Sequence, residues 1–181
     1  QDGENVKNVI DELIGEYDID ASRIYGTGLS MGSRGTWALS TAYPDLYAAQ
    51  INIASADVYS EEGLAEIADK PIWALVSSDD SEERVNGFRD NIADLEAQGA
   101  VVERRMDEQG WNGYARGEAS EEEAKEQLAA AEESGANVLY TEYIAGTTVP
   151  NPHWSWRPSF ANDAIRDWLF AQQQETPYTP E

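Results

Sequence analysis

The stretch Gly26-Thr-Gly-Leu-Ser-Met-Gly-Ser-Arg-Gly35 contains four glycines, and two of them, Gly28 and Gly32, flank Ser30 as Gly-x-Ser-x-Gly. This pattern is typical of a tight strand-to-helix turn that exposes the serine hydroxyl above a sheet, although ordinary turns also contain it. We expect glycine at both flanking positions because a side chain there would collide with the turn. The helix that follows directs its positive end at Ser30, which makes Ser30 a candidate nucleophile and the Met31 N–H a candidate oxyanion donor.

Histidine is the usual base for a serine hydroxyl, and the chain contains one histidine, His153. It follows the last predicted strand and precedes the last predicted helix. Such a loop lies at the carboxyl edge of a parallel sheet, where Ser30 is also expected. His153 is therefore the candidate base, and the alternative is an ordinary residue of a surface loop.

A carboxylate is expected beside the histidine, to hold its tautomer and stabilise the imidazolium. Asp79 and Asp80 follow a predicted strand at 71–76, again at its carboxyl end. The order serine, aspartate, histidine along the chain is that of an α/β-hydrolase. Either aspartate can instead cap the helix predicted over 82–98, so the residues alone leave the choice open.

Predicted strands alternate with predicted helices along the whole chain. The strands are at 23–25, 47–54, 71–76, 100–106 and 137–144, and the helices at 6–17, 36–43, 82–98, 120–134 and 160–169. This alternation predicts an α/β fold with a mainly parallel sheet and helices on both faces. We expect a single domain over 1–181, with a polar loop and acidic surface helix at 107–135 and a flexible tail at 172–181.

The chain resembles α/β-hydrolase esterases of the polyhydroxybutyrate-depolymerase and feruloyl-esterase-like group, whose members are also named as peptidases. The resemblance lies in RIYGTGLSMG (23–32), GTW (35–37), YPDLYAA (43–49), PIW (71–73) and AIRDWL (164–169). It implies Ser30 as nucleophile, His153 as base and no metal or organic cofactor. It favours Asp80 over Asp79, because the family's acid comes four residues after a His-Gly pair that Val76-Ser77 replaces here.

Enzymes of this group carry several strands before the nucleophile strand, and a loop there, often rich in His-Gly, gives the second oxyanion donor. The chain has no match to either feature. We therefore expect it to be the carboxyl-terminal part of a larger hydrolase, with the amino-terminal part as its partner. Its first strand is then expected to be an open, apolar sheet edge.

The expected reaction is hydrolysis of a small or polymeric carboxylic ester through an acyl-enzyme. Candidate pocket residues are Leu29, Trp111, Tyr114, Trp154 and Trp156, although such aromatic side chains more often belong to a core. Two alternatives stay open. One is a serine peptidase of the same fold, and the other is a non-catalytic binding module on a decayed hydrolase scaffold.

The charge is strongly negative, with 35 acidic against 12 basic residues and a net charge of −23. It disfavours nucleic acid and anionic membranes as partners. A solvated surface is the simpler explanation, and adaptation to high salt is the alternative. The acidic runs lack the spacing of a calcium loop, so we interpret them as solvated charge. The absence of cysteine excludes thiolate metal sites and leaves the compartment unknown, with a secreted or extracytoplasmic protein favoured.

Overall fold

The computed structural model describes residues 2–112 and 118–180, and these residues contain five strands and seven helices. The strands are β1 (Tyr25–Leu29), β2 (Ala49–Ile53), β3 (Ile72–Ser77), β4 (Val102–Arg105) and β5 (Val138–Tyr143). The helices are α1 (Asp2–Glu16), α2 (Met31–Ala42), α3 (Glu61–Ala65), α4 (Glu82–Ala97), α5 (Glu118–Ser134), α6 (Trp156–Ala161) and α7 (Asp163–Ala171). Short 3₁₀ turns lie at Asp107–Gln109 and Pro152–Trp154.

All strand pairs are parallel, in the order β1-β2-β3-β5-β4. The predicted α/β fold with a mainly parallel sheet is confirmed. Strand β5 enters between β3 and β4 and pairs with β3 along its full length, from Ile72 opposite Val138 to Ser77 opposite Tyr143. The loops that follow β3 and β5 are therefore neighbours at the carboxyl edge of the sheet.

Strand β3 shows why helices cover both faces of the sheet. Alternate side chains of a strand point to opposite faces. Ile72, Ala74 and Val76 join a buried cluster that includes Phe88 of α4. Trp73 and Leu75 join a second cluster on the other face, with residues of α5 and α7. A strand buried on both faces reads as a continuous apolar run, as this one does.

The apolar stripe of α1 is only partly buried. Ile10 and Ile14 pack against a small cluster built around Leu39, Leu46 and Tyr178. Four other apolar side chains of the segment lie exposed, namely Val6, Val9, Leu13 and Tyr17. Beside them, β1 pairs with β2 on one side, and within residues 2–112 and 118–180 no strand pairs with its other side. This outer edge of the sheet is therefore open, as expected from the sequence.

Within the described residues, the segment 172–180 packs against the rest of the domain, which differs from the flexible tail expected at 172–181. The Gln174 N–H donates to the Ser22 carbonyl at 3.0 Å, and the Tyr178 N–H donates to the Ala21 carbonyl at 3.1 Å. The Tyr178 hydroxyl donates to Asp11 Oδ1 at 2.7 Å, and its ring is buried. A polar, proline-containing sequence suggested disorder, but one aromatic side chain anchors it.

The helix predicted over 160–169 is broken at Asn162, which separates α6 from α7. The Asn162 side chain accepts from the Ile165 N–H at 3.2 Å, so it caps the start of α7. Its amide also donates to Ser120 Oγ and to the Ser120 carbonyl, both at 2.8 Å. Ser120 lies inside α5, which begins at Glu118, two residues before the predicted start at 120. Helix α5 has a buried face that includes Ala124 and Gln127, beside its acidic exposed face.

None of the helices in the described parts of the chain is both long enough and apolar enough to cross a membrane.

Candidate active site

Ser30 occupies a strained turn between β1 and α2. Its backbone has φ of 49° and ψ of −118°, a conformation that side-chain-bearing residues rarely adopt. Such a residue costs about 1–3 kcal/mol and persists only where the surroundings fix it. The Ser30 N–H donates to the Ile53 carbonyl at 2.8 Å, which fixes the turn to the end of β2. The Met31 N–H is the first of α2 and has no acceptor within the helix.

Glycine is sterically required on one side of Ser30 only. A Cβ added at Gly28 would lie 2.2 Å from the carbonyl carbon of Gly32 and 2.4 Å from the Ser33 nitrogen. A Cβ added at Gly32 would meet no atom within 4 Å. The expectation that both glycines are required is therefore wrong for Gly32. The close approach runs from Gly28 to the backbone of the following helix, whereas the Cβ direction at Gly32 points into open space.

His153 lies between Ser30 and Asp80. Its Nε2 is 3.0 Å from Ser30 Oγ, and its Nδ1 is 2.9 Å from Asp80 Oδ2. Asn151 caps the start of the 3₁₀ turn that carries His153, because its Oδ1 accepts from the His153 N–H at 2.9 Å. The imidazole ring also lies edge-on to the Trp156 ring, with centroids 5.1 Å apart. These contacts restrain both the backbone and the ring of His153.

The two neighbouring aspartates have different contacts. The Asp80 side chain is 3% exposed and also accepts from Arg84 Nη1 at 2.9 Å and from the Ser81 N–H at 2.7 Å, both at Oδ1. Asp79 accepts from Ser77 Oγ at 3.0 Å and from the Gly146 N–H at 2.8 Å. Asp79 therefore ties the loop after β5 to the end of β3, and Asp80 is the aspartate that meets His153. Neither caps α4, which begins after Ser81.

The sheet topology brings these loops together. Asp80 follows β3, and His153 follows β5, its direct neighbour. Ser30 follows β1, two strands away on the other side of β2. In a parallel sheet all three strands end at the same edge, so residues 123 positions apart in sequence can be in hydrogen-bond contact.

A cavity of about 620 Å³ adjoins Ser30 at the β1 side of the site. Its wall includes Leu29 and Met31, both with exposed side chains, and Phe160 of α6. Leu29 was a predicted pocket residue. The sequence predicted Phe160 only as the first residue of a helix over 160–169, whereas in the structure it belongs to α6, before the break at Asn162. An asparagine in a helix-like run is a known start signal, and that signal was available in the sequence.

The predicted aromatic pocket residues separate into different environments. Trp111 is 1% exposed and packs edge-on against Trp73 and Tyr143, so it belongs to the core and not to a pocket wall. Trp156 contacts the His153 ring. Trp154 lies under the guanidinium of Arg157, which is 4.6 Å from the centre of the Trp154 ring. Tyr114 lies outside the described residues.

The chain is similar to known esterases, although no family model matches it. Acetylxylan esterase A of Emericella nidulans is 43% identical over 47 residues, which are 26% of this chain and 16% of that protein. A thermostable esterase of known structure superposes with a TM-score of 0.67 at 31% identity, and the match covers 94% of this chain and 36% of that one.

A feruloyl esterase structure superposes with a TM-score of 0.56 at 14% identity, over 97% of this chain and 60% of that one, which supports the fold alone. The chain spans about a third of the thermostable esterase and a smaller share of the acetylxylan esterase. This chain has the α/β-hydrolase fold and is similar in sequence and structure to a portion of esterases.

Proposed function

We propose that the chain is part of a serine hydrolase that cleaves carboxylic esters. The observation that carries this proposal is the continuous hydrogen-bonded line from Ser30 Oγ through His153 to Asp80, with distances of 3.0 Å and 2.9 Å. The strained backbone at Ser30 and the cavity beside it also support the proposal. The similarity to esterases supports an ester as the substrate, small or polymeric.

In the proposed reaction, Ser30 Oγ attacks the ester carbonyl carbon while His153 Nε2 takes the hydroxyl proton. Asp80 accepts a hydrogen bond from the Nδ1–H of His153 and stabilises the imidazolium that forms. The Met31 N–H donates to the oxyanion, at the positive end of α2. His153 then gives its proton to the departing alcohol, which leaves an acyl-enzyme. Water, activated by the same histidine, cleaves the acyl-enzyme. These steps use no metal or organic cofactor.

The proposed enzyme also needs a partner at β1, which we propose is the amino-terminal part of the same hydrolase. The open edge of β1 and the exposed apolar side chains of α1 support this, because both are aggregation hazards unless covered. We therefore expect slow hydrogen exchange at those β1 amides that do not donate to β2, measured in the natural full-length protein. Fast exchange there would contradict a strand partner.

Labelling with a fluorophosphonate, followed by an ester assay on the natural full-length protein, tests the catalytic roles. We expect Ser30→Ala to abolish labelling and to reduce hydrolysis of 4-nitrophenyl esters by at least about 10³-fold. Ser33→Ala is the matched control, because its hydroxyl lies in the same segment but pairs with Ser55 Oγ at 2.9 Å. The control variant should label like the wild type.

Two results would redirect the proposal. A wild-type protein that neither labels nor hydrolyses esters would favour a binding module on the same scaffold. A protein that labels at Ser30 and also cleaves the matched peptide amides efficiently would favour a peptidase, because an esterase leaves them intact.

A further inference from the structure

Arg157 differs from the other cations of the described residues in its contacts. Nine of these cations form ion pairs with carboxylates, namely Lys7, Arg34, Lys70, Arg84, Arg89, Arg104, Arg105, Lys125 and Arg166. Arg23 donates instead to the Phe170 carbonyl. Within residues 2–112 and 118–180, Arg157 alone has neither kind of partner. Its recorded contact is with the Trp154 ring, at 4.6 Å.

An arginine without a carboxylate is unexpected in a chain with 35 acidic residues. The Arg157 side chain is exposed, yet stacking on Trp154 restrains its planar guanidinium. A stacked guanidinium keeps its N–H donors at its rim, where they form a fork that fits a carboxylate. Arg157 is thus a positioned cation with unused hydrogen-bond donors.

Arg157 belongs to the short segment that joins His153 to a wall residue of the cavity beside Ser30. Trp154, Arg157 and Phe160 are three residues apart, so Arg157 and Phe160 lie on the same side of α6. Phe160 lines the cavity that adjoins Ser30. On the other side of Arg157, Trp154 directly follows His153 in the 3₁₀ turn. The stacked pair therefore lies between the base and the cavity wall along one short segment.

We propose that Arg157 and Trp154 form a subsite for a carboxylate carried by the ester substrate, so that the enzyme acts on acidic esters. This inference rests on the proposed ester-hydrolase function. The net charge of −23 repels such a substrate at long range. A cation in the segment beside the cavity, with no carboxylate of the described residues paired to it, would counter that repulsion where the ester binds.

Two pairs of esters test the subsite on the natural full-length protein, because the carboxylate can belong to the acyl or to the alcohol group. The first pair is the 4-nitrophenyl ester of succinic acid and its methyl ester. The second is 4-acetoxybenzoate and its methyl ester. For each compound, kcat/KM of the variant is divided by that of the wild type, so that intrinsic reactivity cancels.

We expect Arg157→Gln to lower kcat/KM about tenfold for the charged member of at least one pair, with both neutral members changed less than twofold. For the charged ester, kcat/KM of Arg157→Lys should lie between those of the wild type and Arg157→Gln, because lysine keeps the charge but lacks the planar fork. Arg104→Gln is the control: it removes the same charge from β4, at the opposite edge of the sheet from β1. Added NaCl should reduce the effect of Arg157→Gln.

Equal effects of Arg157→Gln on charged and neutral esters in both pairs would overturn the subsite and leave the ester hydrolase standing. A wild-type protein that hydrolyses none of the four esters would overturn the proposed function, and the subsite with it.

Discussion

The carboxylate of Asp80 is held from two sides. Oδ2 meets His153 Nδ1, while Oδ1 accepts from Arg84 and from the Ser81 N–H. Arg84 does not touch His153 or Ser30 in the described contacts, so it acts on the site through Asp80. It is a positioning residue in the proposed reaction.

We expect Arg84→Gln to lower kcat about tenfold with little change in KM, because a less restrained Asp80 holds the imidazole less well. Arg84→Lys should recover part of the loss. Steady-state kinetics and the downfield Nδ1 proton signal of His153 measure the two effects. An unchanged kcat in Arg84→Gln, with the proton signal intact, would contradict this role.

At the residue scale, the sequence carried enough information to predict that Ser30 and His153 lie close together. One motif fixed the serine, and a single histidine left no choice of base. Their catalytic roles stay predictions until the serine variant is assayed. The residues alone did not separate Asp79 from Asp80, because both follow β3. That choice depends on the turn at the strand end, where the Asp80 N–H donates to the Ser77 carbonyl at 3.0 Å.

At the scale of elements, we expect alanine substitutions of the two glycines in the turn between β1 and α2 to have different effects on stability. We expect Gly28→Ala to destabilise the protein by about 3 kcal/mol or more, because the new Cβ would overlap the backbone of Gly32. Gly32→Ala should instead be neutral or stabilise by up to about 1 kcal/mol, since Gly32 lies inside α2 in open space. Chemical unfolding measures both, and equal losses would contradict a one-sided requirement.

We expect the stability of the protein to depend on pH through Glu123 of helix α5. Glu123 accepts from the Asn112 N–H at 3.1 Å, and its burial raises the pKa of this carboxyl group. A raised pKa means that folding favours the protonated form. The resulting stability is present below the unfolded pKa and is lost as pH rises through the folded pKa.

We therefore expect Glu123→Gln to raise the free energy of unfolding at about pH 8 and to leave it nearly unchanged at about pH 4. Glu122→Gln is the control on the same helix, because Glu122 is largely exposed. Unfolding curves at the two pH values give the comparison. A gain of the same size at both pH values would contradict the assignment.

Periodicity predicted the type of each strand and of the longer helices but missed the short helix α3, and it did not predict the boundaries. The short apolar run at 23–25 indicated a strand, but β1 runs over Tyr25–Leu29 and includes two glycines of the motif. These residues have weak strand preference, and pairing with β2 decides their conformation. The stripe of α1 was identified by its spacing, but spacing does not say how much of a stripe is covered. Tertiary contacts decide that, and in the part of the chain that the structure describes Ile10 and Ile14 are the residues of this stripe that pack against a buried cluster.

At the scale of the whole molecule, the carboxyl-terminal segment closes onto α1. Tyr178 packs beside Leu39 and Leu46, and its hydroxyl donates to Asp11, which also pairs with Lys7 at 2.7 Å. This contact joins two residues that are 167 positions apart. Composition alone predicted a flexible segment, because a single aromatic anchor has no signature in a polar stretch.

We expect Tyr178→Phe to lower the free energy of unfolding by about 1 kcal/mol through the lost hydrogen bond, and Tyr178→Ala by about 3 kcal/mol through the lost packing. Tyr17→Ala is the control, since its side chain is exposed. Limited proteolysis should cleave the segment 172–180 faster in Tyr178→Ala than in the wild type. Equal cleavage rates would show that Tyr178 is not the anchor.

The order of strands also determines where this fold can accept inserted residues. The chain leaves β3 next to Asp80, forms α4, the edge strand β4 and α5, and returns as β5 beside its point of departure. The distance between the aspartate and histidine loops is thus set by one strand pairing, whatever the length of the excursion. Insertions or grafted peptides at the exposed turn formed by Gln98 and Gly99, between α4 and β4, should therefore be accepted without moving His153, which makes that turn a natural place to attach a second module.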